Sequence, residues 1–515
     1  MDKKIMSPSM VWEKCRQNIK PVWKTAFFAA LVIGFLVHMP ILIRDIPNHD
    51  GLDSMYFDQN MITSGRWFLT VACGLSSYFS LPWVIGVLGI LYLSVTAVLL
   101  AEFLEVEKKS SAVLIAGLLC AFPALSATFA YVFTLDGYML GLLLAVAAPL
   151  FVKKFKYGFI AGGIALAFSM GTYQSYLPFA MLLSVYGIAV LFLEAKTVKE
   201  KLKEALHYLY MGAIGVSLYY VILRLLLLIQ GKELASYQGI SGMGTVEKAG
   251  LLATVKNLYR DFFTFSLQSD ILFNNIWSVI AIALFGLLFL LVLLSIIIKR
   301  RLYRSPWLYA VIVLLFIGLP VATNVILIVS PEVTYHLLMR YQWVLYLICL
   351  VGFMDKYCKW NLGNWLLLIS TGVLIFNYAV TDNIAYANLE KKYEKTYAMC
   401  LRLADRMEQT EGYDKDMPVA MIGVVGDENY PVTDITGEVT GSMIGMNGDY
   451  LLYTRANYQA FLKHYLGITI NLVSDEEMLA IYNSEAYREM GSFPAADSVK
   501  VVDGVLYVKL ENCEE

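Results

Sequence analysis

Apolar residues along this chain fall in long unbroken runs, not at the spacing of amphipathic surface elements. The runs recur up to residue 380 and then stop, and their length, about 18 to 25 residues, is what carries an α-helix across a bilayer. Eleven spanning helices are predicted, over residues 25–43, 81–104, 111–130, 135–152, 157–172, 176–194, 207–229, 272–298, 307–329, 341–354 and 362–380. The fifth and tenth are short, and the fifth leads directly into Thr172, Tyr173 and Gln174. The stretch from Phe68 to Phe79 is apolar but too short to span, which suits an interfacial or re-entrant segment.

Polar positions between the runs supply the orientation. One alternate set of connections holds 21 Lys and Arg residues in clusters such as Lys153, Lys154 and Lys156 or Lys299, Arg300 and Arg301. The other set holds seven, although it is longer in total. By the positive-inside rule the first set is cytoplasmic, so the N-terminus is expected inside and the C-terminus outside. The first apolar run follows a basic leader without a small-residue cleavage site, so it is expected to act as a signal anchor. Two external loops are long, residues 44–80 and 230–271. The second combines a glycine-rich turn, Gly239 to Gly244, with an amphipathic stretch from Val246 to Phe265 suited to the membrane surface.

After Asp382 the pattern becomes that of a small mixed α/β unit. A charged helix over Asn383–Gln409, a strand over Val419–Val425, a helix over Asn457–Tyr465 and an acidic helix over Ser474–Met490 precede two strands, Val499–Val502 and Val505–Leu510. Asp503-Gly504 between them is a hairpin signal. The expected fold is thus mainly α: a polytopic membrane domain, residues 1–380, followed by an extracytoplasmic α/β domain, residues 381–515.

Composition agrees, with 58% hydrophobic and 16% charged residues against about 45–50% and 25% in ordinary soluble domains. A net charge of -2 offers no basic surface for nucleic acid. The seven cysteines show no metal-ligand spacing and mostly lie in or beside apolar runs; Cys400 and Cys513 could form one disulfide.

Candidate chemistry gathers in the first external loop, Asn48-His49-Asp50-Gly51-Leu52-Asp53-Ser54-Met55-Tyr56-Phe57-Asp58-Gln59, which closes on Ser64-Gly65-Arg66-Trp67. Asp50 and Asp53, three apart, project from one side of a helical turn, with Asp58 beyond them. Asp136 stands between two apolar runs with almost no polar spacer, where a charge is expensive unless it faces a cavity, although Asp also caps helices well. Tyr138 follows it, and Tyr173 and Gln174 occupy the equivalent external end of the next pair. Arg340 at the mouth of the tenth span and Arg224 in the outer half of the seventh are candidates to hold a lipid phosphate, with snorkelling the alternative for Arg224. His49 and His336 with these acids are compatible with a divalent metal, but no ligand spacing singles one out.

Asn48 to Trp67, the Leu81-Pro82-Trp83 start of the second span, Thr172-Tyr173-Gln174-Ser175 and the closing Val499–Leu510 hairpin together resemble the type II O-antigen glucosyltransferase (Gtr) family. The resemblance implies a GT-C-type multi-spanning fold in a bacterial inner membrane and a polyprenyl-phosphate-linked sugar donor. It further implies transfer to a surface glycan, O-antigen or wall polymer, on the extracytoplasmic face. An acidic catalytic residue in the first external loop is also implied, and it carries over onto Asp50, with Asp53 next. One-step displacement would make the transfer inverting, and no glycine-rich nucleotide loop is visible on the cytoplasmic side. The rival class is a transporter or flippase of lipid-linked sugars, whose polar residues would sit at the bilayer midplane instead of gathering at one face.

Overall fold

The computed structural model describes residues 7–194, 197–235, 248–330, 333–425 and 451–511. Helices dominate: α1 Pro8–Asn18, α2 Pro21–Leu42, α3 His49–Asp53, α4 Leu69–Cys73, α5 Pro82–Phe103, α6 Lys109–Ala121, α7 Pro123–Phe129, α8 Leu135–Lys154 and α9 Gly158–Thr172. They continue with α10 Leu177–Leu193, α11 Val198–Gln230, α12 Lys248–Gln268, α13 Ile276–Lys299, α14 Pro306–Thr323, α15 Ile326–Val329, α16 Val344–Tyr357 and α17 Asn361–Glu408. Among the described residues eight helices are long and apolar enough to cross a membrane, or nine if the bent pair α6 and α7 is one span. Helices also stand at the fifth and ninth predicted positions, but α9 and the apolar part of α14 are shorter. The protein is mainly α and membrane-embedded.

Pro123 causes the 49° bend between α6 and α7. Its ring pushes the preceding Phe122 out of the helical region, to ψ 125°. The carbonyls this frees are capped by side chains from other helices: Tyr341 donates its hydroxyl to Leu119 O, and His38 Nε2 donates to Cys120 O at 2.8 Å while Nδ1 accepts from Tyr386. A broken span in apolar surroundings persists only with such replacement partners.

The cation clusters meet at one end of the bundle. Glu102 at the end of α5 pairs with Lys20 before α2 and Lys154 at the end of α8, while Glu105 binds Lys153 and Lys356. Asp355 accepts the backbone N–H groups of Glu107 and Lys108. The helix ends predicted to share one side of the membrane are therefore neighbours.

Two elements differ from expectation. The last span and the charged helix after it are not separate, because α17 runs uninterrupted for 48 residues; nothing between Asn377 and Ala387 breaks a helix, and Tyr378, Asp382 and Tyr386 keep one face buried past the apolar run. The acidic stretch from Ser474 is two short helices, Asp475–Tyr482 and Glu485–Arg488, because Ser484 starts a second cap by accepting from Tyr487 N. In the segment over 68–79, α4 packs Leu69, Ala72 and Cys73 against α8, with Val71 and Leu75 outward. The amphipathic helix appears as α12, packed on α14 and α15, while the glycine-rich turn at Gly239–Gly244 lies outside the described residues.

Four strands follow, β1 Pro418–Ile422, β2 Asn471–Leu472, β3 Val499–Val502 and β4 Val505–Lys509, in the order β2-β1-β4-β3. β1 runs parallel to β2 and β4, and β3 pairs antiparallel with β4 through Asp503 (φ 49°) and Gly504 (φ 78°), as the hairpin signal predicts. Cys400 is buried and free, and Cys513 lies outside the described residues.

The loop between α2 and α5 is fastened to the bundle at Gly171. Trp67 lies so close that a Cβ on Gly171 would stand 2.5 Å from its indole, and Phe68 N donates to Gly171 O at 2.7 Å. Gly171→Ala must displace a rigid buried ring, at a cost of about 1–3 kcal/mol; a melting temperature equal to that of the wild type would contradict this packing.

Candidate active site

Asn48 holds the acidic end of the loop. Its buried Oδ1 accepts the Gly51 N–H at 2.7 Å and starts α3, while Nδ2 donates to Ala130 O at 2.8 Å, where α7 ends. Asp50 and Asp53 therefore leave a single fixed turn, and both line a cavity of about 470 Å³, a size typical of small-ligand sites. His49 Nε2 lies 3.6 Å from Asp50 Oδ1, and the His49 ring meets Tyr453 edge-on at 4.6 Å. Burial pushes the Asp53 carboxyl above its ordinary pKa, opposed by a hydrogen bond from Asn457 and assisted by the neighbouring Asp50. Burial likewise lowers His49, with Asp50 acting against it.

Arg66 arrives from the other end of the loop, after Gly65 in the left-handed region at φ 74°. This turn is gripped from the bundle: Gln174 donates to Ser64 O at 2.8 Å, and Tyr219 donates to Gly65 O at 3.1 Å. The Arg66 guanidinium donates to the Tyr138 hydroxyl at 3.1 Å and lies 5.0 Å from the Tyr173 ring, which stacks on Tyr138 at 4.6 Å. Arg66, Tyr138, Tyr173 and Gln174 all line the same cavity as the two acids. Its far wall includes Ile326, Val329, Val333, Met339 and His336, whose pKa burial lowers.

The other sequence candidates lie elsewhere. Asp58 is exposed and accepts the Asn60 N–H in a local turn. Asp136 is fully buried at the start of α8 and accepts from Gly137 N; Thr134 and Tyr138 face the cavity, and the residue between them faces away. Arg224 is on an exposed face of α11, bound to the Tyr220 hydroxyl one turn earlier. Arg340 makes a bidentate pair with Asp261 of α12, at 2.7 and 2.6 Å, and stacks on Tyr335. Its fork is thus engaged by a carboxylate, and it does not line the cavity. Arg66 is the guanidinium among the described lining residues. Among the described residues no group of three or more His, Cys, Asp or Glu is arranged to hold a metal ion.

A second, apolar groove of about 790 Å³ adjoins the cavity, walled by α9, α10 and α11 and by Val325, Ile328 and Val329. Val329 lines both spaces. Tyr219 joins them as well, lining the groove while its hydroxyl meets Gln174 at 3.2 Å.

A bundle of apolar helices that carries a fixed pair of carboxylates, a guanidinium and stacked tyrosines at one end is equipped as a membrane glycosyltransferase. Residues 39–355 match the family described as glucosyl transferase GtrII. The chain belongs to that family, and it is a glucosyltransferase, as the resemblance in its first loop implies. No curated protein and no solved structure matches the chain significantly.

Asn457, outside the matched range, was not legible in the sequence as a site residue. It donates to Asp53 from 404 positions away, and in the sequence it stands only as the first residue of the helix expected over Asn457–Tyr465. Arg340→Ala leaves Asp261 with the Asn324 amide in place of a guanidinium and should lower stability by about 2–3 kcal/mol, below the 3–5 of a fully buried pair. Denaturation of the variant in detergent tests this, and unaltered stability would exclude the pair as a structural tie.

Proposed function

We propose that this glucosyltransferase takes its sugar from a polyprenyl-phosphate carrier and passes it, with inversion, to a surface glycan on the extracytoplasmic face of a bacterial inner membrane. The observation that carries the reading is the cavity holding Asp50, Asp53 and Arg66 beside an apolar groove between helices. A lipid-linked donor has the same two parts, a charged head and a hydrocarbon tail, and it must be met at the bilayer surface. Asp50 is the base, with Asp53 beside it. The acceptor hydroxyl oxygen attacks the anomeric carbon and gives its proton to the Asp50 carboxylate, while the bond from that carbon to the phosphate oxygen breaks and its electron pair leaves on the phosphate. Arg66 is placed to steady the departing charge, stiffened by Tyr138 and Tyr173. Residues 381–515 form an extracytoplasmic unit that helps hold the acceptor. The lysine-rich connections then lie in the cytoplasm.

Purified protein supplied with polyprenyl-phosphate glucose and an O-antigen or wall-polymer acceptor tests the reading. Asp50→Asn is expected to lower transfer roughly 10²–10⁴-fold with donor binding retained. Arg66→Gln is expected to weaken transfer roughly 10- to 100-fold, the equivalent of one charged hydrogen bond. A wild type that moves the lipid-linked sugar across vesicles without transferring it would instead indicate a flippase.

The groove makes a separate demand. Gly212 lines it with nothing within 4 Å of a built Cβ, so Gly212→Leu can fill the space without disturbing the bundle. The KM for a long-chain donor should rise while that for a short-chain analogue stays unchanged; equal effects on both would place the tail elsewhere.

A further inference from the structure

The C-terminal region reaches the acidic turn that lines the cavity. Its helix α18, Arg455–Phe461, begins at Thr454, whose hydroxyl accepts the Asn457 N–H at 3.2 Å. Asn457 is buried, and its amide has a determined orientation because Oδ1 accepts the Tyr453 N–H at 3.0 Å. Nδ2 therefore faces the acidic turn, donating to His49 O at 3.1 Å and to both Asp53 oxygens at 3.3 Å. Asn48 holds α3 from the bundle side and Asn457 from the opposite side. Tyr453, carried by the same segment, packs its ring on His49 and receives the Lys392 ammonium at 3.3 Å.

We propose that Asn457 is a positioning residue for glucosyl transfer, one that aims the Asp50 and Asp53 carboxylates from a part of the chain beyond residue 355. The inference rests on the reading of those acids as the reacting pair. An amide N–H shared across a carboxylate favours its ionised form and fixes its plane. The charged groups acting on Asp53 are Asp50 and His49 on its own turn; Lys392 on α17, behind Tyr453, acts on His49, and Arg66 and His336 line the same cavity. Asn457 is the neutral donor among them, so its charge can be changed by one isosteric substitution.

The test is the pH dependence of transfer from polyprenyl-phosphate glucose by the full-length protein. Asn457→Asp sets a further carboxylate, besides Asp50, against Asp53, and the acid limb of kcat/KM should move upward by about one pH unit. Protonation above the usual range means that activity is lost earlier as the pH falls. Asn457→Ala should lower kcat about tenfold with the donor KM unchanged, and serves where the Asp variant does not fold. A profile for Asn457→Asp superimposed on that of the wild type, or an Ala variant with wild-type kcat, overturns the proposal. Full transfer by Asp50→Asn and Asp53→Asn variants would instead overturn the reading of the acids, and this inference with it.

Discussion

Two buried side-chain amides hold the first loop to the helices, and the geometry of the cavity depends on them. Asn48 ties the acidic turn to the end of α7, and Gln174 ties the turn before Arg66 to α9 and α11. A loop of this length would otherwise sample many conformations, at roughly 1–2 kcal/mol of backbone entropy per ordered residue. Burial makes these contacts decisive, because an amide in a dry setting loses far more when its partner is removed than it gains when the bond forms. Trp67 on Gly171 adds an apolar contact between them. Opposite charges are thus held in one small space, each fastened separately to a rigid element.

Such an arrangement suits a head group that carries both a hydroxyl-rich ring and a phosphate. Stacked Tyr138 and Tyr173 give Arg66 a firm backing, so little side-chain entropy remains to be lost on binding an anion. The apolar groove beyond Tyr219 offers a route from this polar space into hydrocarbon with no charged lining residue.

Much of the architecture was legible in the sequence because backbone satisfaction in lipid forces long apolar runs. The runs at 25–43 or 272–298 could scarcely have been anything else. The break at Pro123 was hidden because both halves are equally apolar, and the continuity of α17 was hidden because polarity changes where the helix does not. Within the site, His49 to Asp53 and Arg66 stood out because polar residues crowd one short external stretch. Arg340 drew attention for the same reason, yet its partner Asp261 lies 79 positions earlier, on a helix whose docking no local pattern reveals. Asp136 shows the limit of reasoning from burial cost alone, since it is fully buried in the first turn of α8 and is not among the cavity's lining residues. Asn457 depends on a contact across most of the chain, and spacing carries no information about it.

The 48 unbroken residues of α17 make a rod about 70 Å long. One half is sheathed by the bundle beside α13, and the other supports the segment that carries Tyr453 and Asn457. Such a rod works as a lever. A tilt of a few degrees within the bilayer, of the kind that hydrophobic mismatch imposes, becomes a displacement of several ångströms at its far end.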